Sequence, residues 1–386
     1  VTPGARVAAA IEVLDSIAAG TPAEQALTRW ARRSRFAGSK DRAAIRDHVF
    51  DVLRCRRSAA HAGGGEDGRA LMLGLLRLQG QDPGHLFDGA GHAPAPLTPA
   101  EAAEPGPVPE GAEWDLPDWL IPRFHESLGT EALPTARALR ERAPVTLRVN
   151  AGRLTRAEAA QRLAEAGVLT RENPRCDTAL TVEEGPRKLR NAPPYLNGDV
   201  ELQDASSQAA TAGLPPAGRI LDYCAGGGGK ALAMAARGET QVFAHDIDPA
   251  RMRDLPERAA RAGVAIPVLK TPDLLREAPF DIVFCDAPCS GSGAWRRAPE
   301  GQWLLTPDRL TELTAIQDGI LDAAAPLVAP GGILVYATCS VLGEENGDRI
   351  AAFTARSGWK CDFKRSFTVS DEGDGFFVAH LTRADI

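Results

Sequence analysis

At 386 residues, 44% hydrophobic and 25% charged, the chain has room for two or three domains with cores of their own and the composition of an ordinary soluble protein. No apolar run approaches the ~20 residues of a membrane span, and the first residues lack the charged, apolar and small-residue order of a secretory signal. The net charge of −7 does not by itself suggest a nucleic-acid partner, and seven scattered cysteines with no Cys-x-x-Cys pair argue against a disulfide framework or a zinc ribbon. A cytoplasmic location without a metal is therefore expected, and the chain is expected to be a monomer. The charge is uneven, however. Arg32 to Arg57 holds nine basic residues against three acids, so this segment is +6 and the remainder −13. A local basic face binds phosphates despite an acidic total, and a solvated helical surface reads equally well from charge alone.

Residues 1–78 are predicted helical, with Val7, Ile11, Leu14 and Ile17 at helical spacing. Thr21-Pro22-Ala23-Glu24 reads as a cap followed by proline at the first helical position. Gly63-Gly64-Gly65 is expected between helices. Residues 79–112, rich in Pro, Gly and Ala, read as a linker. Residues 113–205 then change character. Val145–Val149 alternates like a strand, Thr155-Arg156-Ala157-Glu158 is a capping box opening a helix to Ala166, and a strand follows near Ala179–Val182. This predicts a small α+β subdomain of the type that forms RNA platforms, although Tyr195 is almost the only stacking aromatic. A plain packing subdomain fits the composition nearly as well.

In a third domain, 206–386, strands and helices alternate from about residue 213: strands at 219–223, 241–246, 264–269, 281–285 and 333–337, with helices at 229–237, 249–262, 308–328 and 345–356. The pattern predicts a doubly wound, Rossmann-like sheet. Two closing strands, 359–363 and 375–381, have no helix between them, so one is expected to run antiparallel.

Phe280 to Gly293 carries the chemistry. The apolar run Ile282-Val283-Phe284-Cys285 breaks into Asp286-Ala287-Pro288-Cys289, and ligands of open α/β sheets sit at such strand ends. A second thiol has the same context, with Thr338-Cys339-Ser340 ending the strand Ile333–Ala337. Upstream, Asp222-Tyr223-Cys224-Ala225-Gly226-Gly227-Gly228-Gly229-Lys230 joins a strand to its helix, and Asp246 ends the next strand twenty residues after Gly226. That is the spacing at which a carboxylate takes up ribose hydroxyls. With no Ser or Thr after Lys230, the loop is not a magnesium P-loop. Its third position is unfavourable for NAD, whereas S-adenosylmethionine uses the same geometry without a pyrophosphate.

Carbon 5 of a pyrimidine is too weak a nucleophile to accept a methyl group. A thiolate added to carbon 6 makes it enamine-like, and a base then takes the carbon 5 proton so that the thiol can leave. A free thiol is only a few per cent ionised at neutral pH, so its surroundings must help. Asp286 is placed to stabilise the polarised ring. Spacing alone does not choose which thiol attacks.

Asp286-Ala-Pro-Cys-Ser-Gly-Ser-Gly293, with Arg296-Arg297-x-Pro299 and Trp303, resembles motif IV of RNA 5-methylcytosine methyltransferases. Ala337-Thr338-Cys339-Ser340 with Glu344-Glu345-Asn346 resembles their motif VI. Gln203–Gln208 and Asp374-Gly375-Phe376-Phe377 match as well. The resemblance is to the RsmB (Sun/Fmu) group, and the helical start resembles that group's NusB-like RNA-binding domain. It implies carbon 5 methylation of a cytosine in small-subunit (16S) ribosomal RNA, with Cys339 as nucleophile and Cys289 assisting product release. Lys230 is expected beside Asp286. The loop from Asp222, Cys224, Ala225, Gly226, Gly227, Gly228, Gly229 and Lys230, together with Asp246, Arg251, Asp273 and Asp286, is expected to hold S-adenosylmethionine. The Cys224 thiol itself, like Cys55, Cys176, Cys285 and Cys361, reads as structural or incidental. His245 and Trp303 read as packing residues. The family loop commonly reads Ala-Pro-Gly-Gly-Lys-Thr, and the glycine in place of proline here predicts a looser loop. Two alternatives stand beside this reading: a transfer RNA cytosine methyltransferase, and a non-catalytic RNA-binding assembly factor. A zinc deaminase is rejected, because Pro288-Cys289 lacks the second cysteine such sites need.

Overall fold

A computed structural model describes residues 1–383. The chain divides into two compact units. Among these residues, one comprises 1–125, 130–142 and 295–304, the other 126–129, 143–294 and 305–383. No helix among the described residues is long and apolar enough to cross a membrane.

The first unit is helical. Helices Pro3–Ala18, Ala23–Arg33, Ser39–Arg54, Arg56–Gly63 and Gly68–Leu78 pack around Val7, Val13, Ile45, Val49, Leu73 and Leu76. Gly64 adopts φ 77° and closes the fourth helix, a conformation glycine takes without the strain of a Cβ. Thr21 does not cap the second helix. That helix begins after Pro22, and the Ala23 N–H donates instead to Glu300 Oε1 at 2.9 Å. Residues 80–112 pack on these helices. Phe87 joins the core, Arg69 pairs with Glu101 at 2.7 Å, and Arg77 donates to the Glu101 and Ala103 carbonyls.

In the second unit, β1 (Thr146–Val149), β2 (Leu169–Glu172), β3 (Ala179–Glu184) and β4 (Val200–Leu202) form an antiparallel sheet in the order β2-β3-β1-β4. The helix Arg156–Glu165, opened by the expected Thr155–Glu158 capping box, crosses between β1 and β2. This is the split βαβ arrangement. All four β1 residues are buried, so the central strand offers no open face on which bases could stack.

The larger sheet runs β6-β5-β7-β8-β10-β9. Its strands are β5 (Arg219–Asp222), β6 (Gln241–Ala244), β7 (Phe280–Asp286), β8 (Val328–Thr338), β9 (Trp359–Phe367) and β10 (Phe376–Arg383). The first four are parallel. β10 is antiparallel to both β8 and β9, so one closing strand is reversed as expected. Phe280, Ile282, Val283, Phe284 and Cys285 of β7 are at most 1% exposed, the mark of a central strand covered on both faces. The expected strand 264–269 reduces to a single bridge, Val268 to Ala244. The expected helix 249–262 splits into a 3-10 turn, Pro249–Met252, and a helix, Leu255–Ala262. Pro256 has no N–H with which to continue the earlier turn.

Candidate active site

Within the larger sheet the chain enters at β5, adds β6 on one side, and returns to add β7 on the other. The crevice at such a reversal, beyond the carboxyl ends of the strands, is where open α/β sheets bind ligands. Asp222 ends β5 and Asp286 ends β7, one on each side of it. Lys230, from the helix after the glycine loop, donates to Asp286 Oδ2 at 2.5 Å and lies 5.2 Å from the Phe376 ring centroid. Burial works against the Lys230 charge, but Asp286, Asp222 and Cys339 outweigh it and raise its pKa.

Asp222 is 1% exposed, and neither of its oxygens has a hydrogen-bond partner. Burial first, then the Asp286 charge, push its carboxyl up to about 7, against relief from Lys230 and the nearby Ala231 N–H. An unpartnered buried carboxylate is costly. Its position at the crevice fits a ligand that brings a cationic group.

The glycine loop is held by the β6 end. Ala225 N–H donates to the His245 carbonyl at 2.8 Å, and Gly226 N–H to Asp246 Oδ2 at 2.9 Å. Asp246 also pairs with Arg251 at 3.3 Å. Gly226 and Gly228 have φ of 52° and 82°, and a Cβ on Gly228 would lie 2.3 Å from Leu255 Cδ1, so both positions need glycine. His245 is buried between the Tyr223 carbonyl (2.7 Å) and Thr271 Oγ1 (2.9 Å), a packing residue as expected. Asp273 pairs with Arg276 at 3.0 Å.

β7 and β8 are in register, with Asp286 opposite Ala337. The loops beyond them bring Cys289 Sγ to 3.5 Å from Cys339 Sγ, although the two residues are fifty positions apart. Cys339 beside it, then burial and the Glu345 carboxylate, raise the Cys289 thiol well above the usual thiol range. Cys285, one residue before Asp286, points into the core and is fully buried.

Sequence reasoning missed the clamp that sets this spacing. Glu345 is fully buried and ties the two thiol loops together. Its Oε1 accepts from Ser290 N–H at 2.8 Å and Gln317 Nε2 at 3.1 Å, and its Oε2 accepts from Ser290 Oγ at 2.5 Å and from Ser340 Oγ. Gln317 also donates to the Pro288 carbonyl at 2.9 Å. The run Glu344-Glu345-Asn346 stood out in the sequence, but nothing in it said which acid turns inward. The motifs around 203–208 and 374–377 also meet. Asp374 N–H donates to Asp204 Oδ1 at 2.9 Å, Ser206 Oγ to the Asp374 carbonyl at 2.7 Å, and Gly375 N–H to the Gly293 carbonyl at 2.9 Å.

In the helical unit, much of the positive charge of Arg32–Arg57 is used internally. Arg33 pairs with Glu12, Arg46 with Glu24, Arg54 with Asp51, and Arg57 with Asp118. Arg32, Arg35 and Lys40 remain exposed. Trp303 donates to the Leu53 carbonyl at 2.8 Å, so it packs as expected.

Residues 213–382 match the family described as 16S rRNA methyltransferase RsmB/F, and residues 116–187 match its RsmF/B-like, ferredoxin-like domain. The chain is 35% identical over 291 residues to the ribosomal RNA small subunit methyltransferase B of Cronobacter sakazakii, an alignment covering 71% of this chain and 68% of that protein. The protein of the same name from Salmonella newport is 35% identical over 284 residues, covering 69% of this chain and 66% of that protein. The chain thus spans about two thirds of the length of these relatives. Among solved structures, PH0851 aligns over 99% of both chains with TM-score 0.76 at 24% identity. NSun6 from Pyrococcus horikoshii, solved with SFG, aligns over 70% of this chain and 99% of its own with TM-score 0.62 at 18% identity. Both are likenesses of fold. On the sequence match, the chain belongs to the 16S rRNA methyltransferase RsmB/F family, a family of S-adenosylmethionine-dependent methyltransferases.

Proposed function

We propose that this protein methylates carbon 5 of a cytosine in small-subunit ribosomal RNA through a covalent adduct on Cys339. The observation that carries the reading is the pair of sulfurs 3.5 Å apart at the ends of β7 and β8, beside the Asp286–Lys230 pair. S-adenosylmethionine supplies the methyl group as an electrophile, and the glycine loop, Asp222, Asp246 and Arg251 are the residues that fit it. The Cys339 thiolate adds to carbon 6 of the ring, and its electron pair passes to carbon 5, which takes up the methyl group. Asp286, kept near the ring by Lys230, stabilises the polarised base. The carbon 5 proton then leaves to a base, the carbon 5–carbon 6 double bond re-forms, and the bond from carbon 6 to Cys339 breaks.

The thiol pair divides the labour. In the resting site Cys289 holds its proton chiefly because of Cys339. Once Cys339 is bonded to carbon, that pressure is gone. Burial and Glu345 still oppose its ionisation, but Cys289, once deprotonated, is the group in reach to accept the carbon 5 proton. A cytosine reaches such a pocket only outside a base stack, so single-stranded or loop RNA is the substrate. Exposed Arg32, Arg35 and Lys40 supply backbone contacts that position without specifying sequence.

The test is methyl transfer from labelled S-adenosylmethionine to naked 16S ribosomal RNA, assembled small subunits and bulk transfer RNA, with the product read as a nucleoside by mass spectrometry. 5-Methylcytidine in naked ribosomal RNA is expected. Label in transfer RNA alone would overturn the substrate, and no transfer to any of them would overturn the activity.

Asp222 gives a pH-dependent prediction. Its folded pKa of about 7 lies above the ordinary 3.8. The stability its neutral form contributes is therefore fully present below about pH 3.8 and lost as pH rises through about 7. A shift of ~3 units corresponds to roughly 4 kcal/mol at most. Asp222→Asn is expected to raise the melting temperature most at pH 8, to raise it less than half as much at pH 5, and to weaken S-adenosylmethionine binding about 10- to 100-fold. Thermal melts at the two pH values and titration calorimetry check both halves. A variant destabilised at pH 8 contradicts the first, and unchanged affinity the second.

A further inference from the structure

Four successive glycines, Gly226–Gly229, lose more backbone entropy on ordering than any other residues would. Without the proline common in family loops, they have no covalent stiffening. Yet the loop is pinned at each residue. Gly226 N–H bonds Asp246, and Gly228 N–H bonds the Ala225 carbonyl at 2.8 Å. The other two residues are held by their carbonyls: Arg258 Nη1 donates to Gly227 O, and Arg148 Nη1 donates to Gly229 O at 2.7 Å.

Both guanidiniums are fixed by one carboxylate. Glu201 on β4 is 5% exposed. It accepts from Arg258 through Nε at 3.2 Å and Nη2 at 2.8 Å, from Arg148 Nη2 at 3.3 Å, and from Arg261 Nη2 at 2.8 Å. Arg148 also donates to Gln203 Oε1 at 2.6 Å. Burial opposes the Glu201 charge, but Arg258 and Arg148 outweigh it and lower its pKa. Burial lowers Arg148 to about 10, with Glu201 pulling the other way. The planar fork of Arg258 bonds the carboxylate through Nε and Nη2 and the loop carbonyl through Nη1, a fixed three-nitrogen span that lysine's single nitrogen does not reproduce.

We propose that Glu201 is a positioning residue for the cofactor: through Arg148 and Arg258 it holds the glycine loop in its binding shape, replacing the stiffness of the absent proline. The proposal rests on the loop being the S-adenosylmethionine site. It also gives the small sheet a task. β1 carries Arg148 and β4 carries Glu201, so the face that might have stacked RNA bases is turned to the cofactor loop instead.

The test uses Arg258→Ala and Arg258→Lys in the full chain, with Arg261→Ala as control, since Arg261 bonds Glu201 but no loop carbonyl. Calorimetry with S-adenosylmethionine and initial-rate kinetics are the readouts. Arg258→Ala is expected to raise the Kd and KM for S-adenosylmethionine about tenfold and to leave kcat at saturating cofactor within about twofold. Arg258→Lys should recover little, and Arg261→Ala should bind like the parent. Parent-like affinity in a folded Arg258→Ala protein overturns the proposal, as does a fall in kcat with unchanged KM. A parent protein that binds no S-adenosylmethionine overturns the cofactor reading beneath it.

Discussion

Cys339→Ala is expected to abolish methyl transfer, by about 10⁴-fold or more as for loss of a covalent nucleophile, with S-adenosylmethionine affinity within about twofold of the parent. The thiol lies beyond β8, whereas the glycine loop is held by Asp246, Arg148 and Arg258, so removing Cys339 leaves the loop intact. Carbon 5 is not nucleophilic enough to take the methyl group without a thiolate on carbon 6. Radiolabel transfer and calorimetry on the same preparation separate the two effects. Activity retained at a measurable fraction of the parent would move the nucleophile to Cys289.

Cys289→Ala is expected to fail at the opposite end of the reaction. Addition by Cys339 proceeds, but the thiol that takes the carbon 5 proton is missing. The protein should therefore accumulate as an RNA adduct that survives denaturing electrophoresis. Digestion with ribonuclease should collapse the shifted band. A clean gel with parent-like turnover would show that release does not need this thiol. The geometry makes the contrast sharp, since two sulfurs 3.5 Å apart would otherwise be expected to substitute for one another.

The core of the fold was legible because its strands are extreme in composition. β7 reads as an unbroken apolar run, since both of its faces are covered, and the acid and thiol that follow it have no packing explanation. The alternation of strands and helices from about residue 213 carried the doubly wound sheet and the reversed closing strand, but not the strand order. Short elements were not legible. β2 and β4, of four and three residues, are too brief to show alternation and are strands only because β3 and β1 pair with them. The helix Ala205–Ala212 buries Ser206, Ser207 and Gln208, residues that look like a loop until Asp374 is brought against them. The site was legible one strand end at a time. Apart from Lys230 beside Asp286, what escaped was the bonds between distant positions: Glu345 to Ser290, and Glu201 to Arg148 and Arg258. Asp222 was readable as a strand-end acid, but its isolation was not, because a missing partner leaves no trace in sequence.

The most direct measurement of the covalent mechanism uses RNA carrying 5-fluorocytidine, in which fluorine blocks the final proton removal and the bond between enzyme and ring persists. The parent protein is incubated with that RNA and S-adenosylmethionine, digested with nuclease and trypsin, and the modified peptide is sequenced by mass spectrometry. A methylated fluorocytidine nucleotide on the peptide containing Cys339 is the result predicted here. The same mass on the Cys289 peptide, or no adduct while methyl transfer to ordinary RNA proceeds, would contradict it.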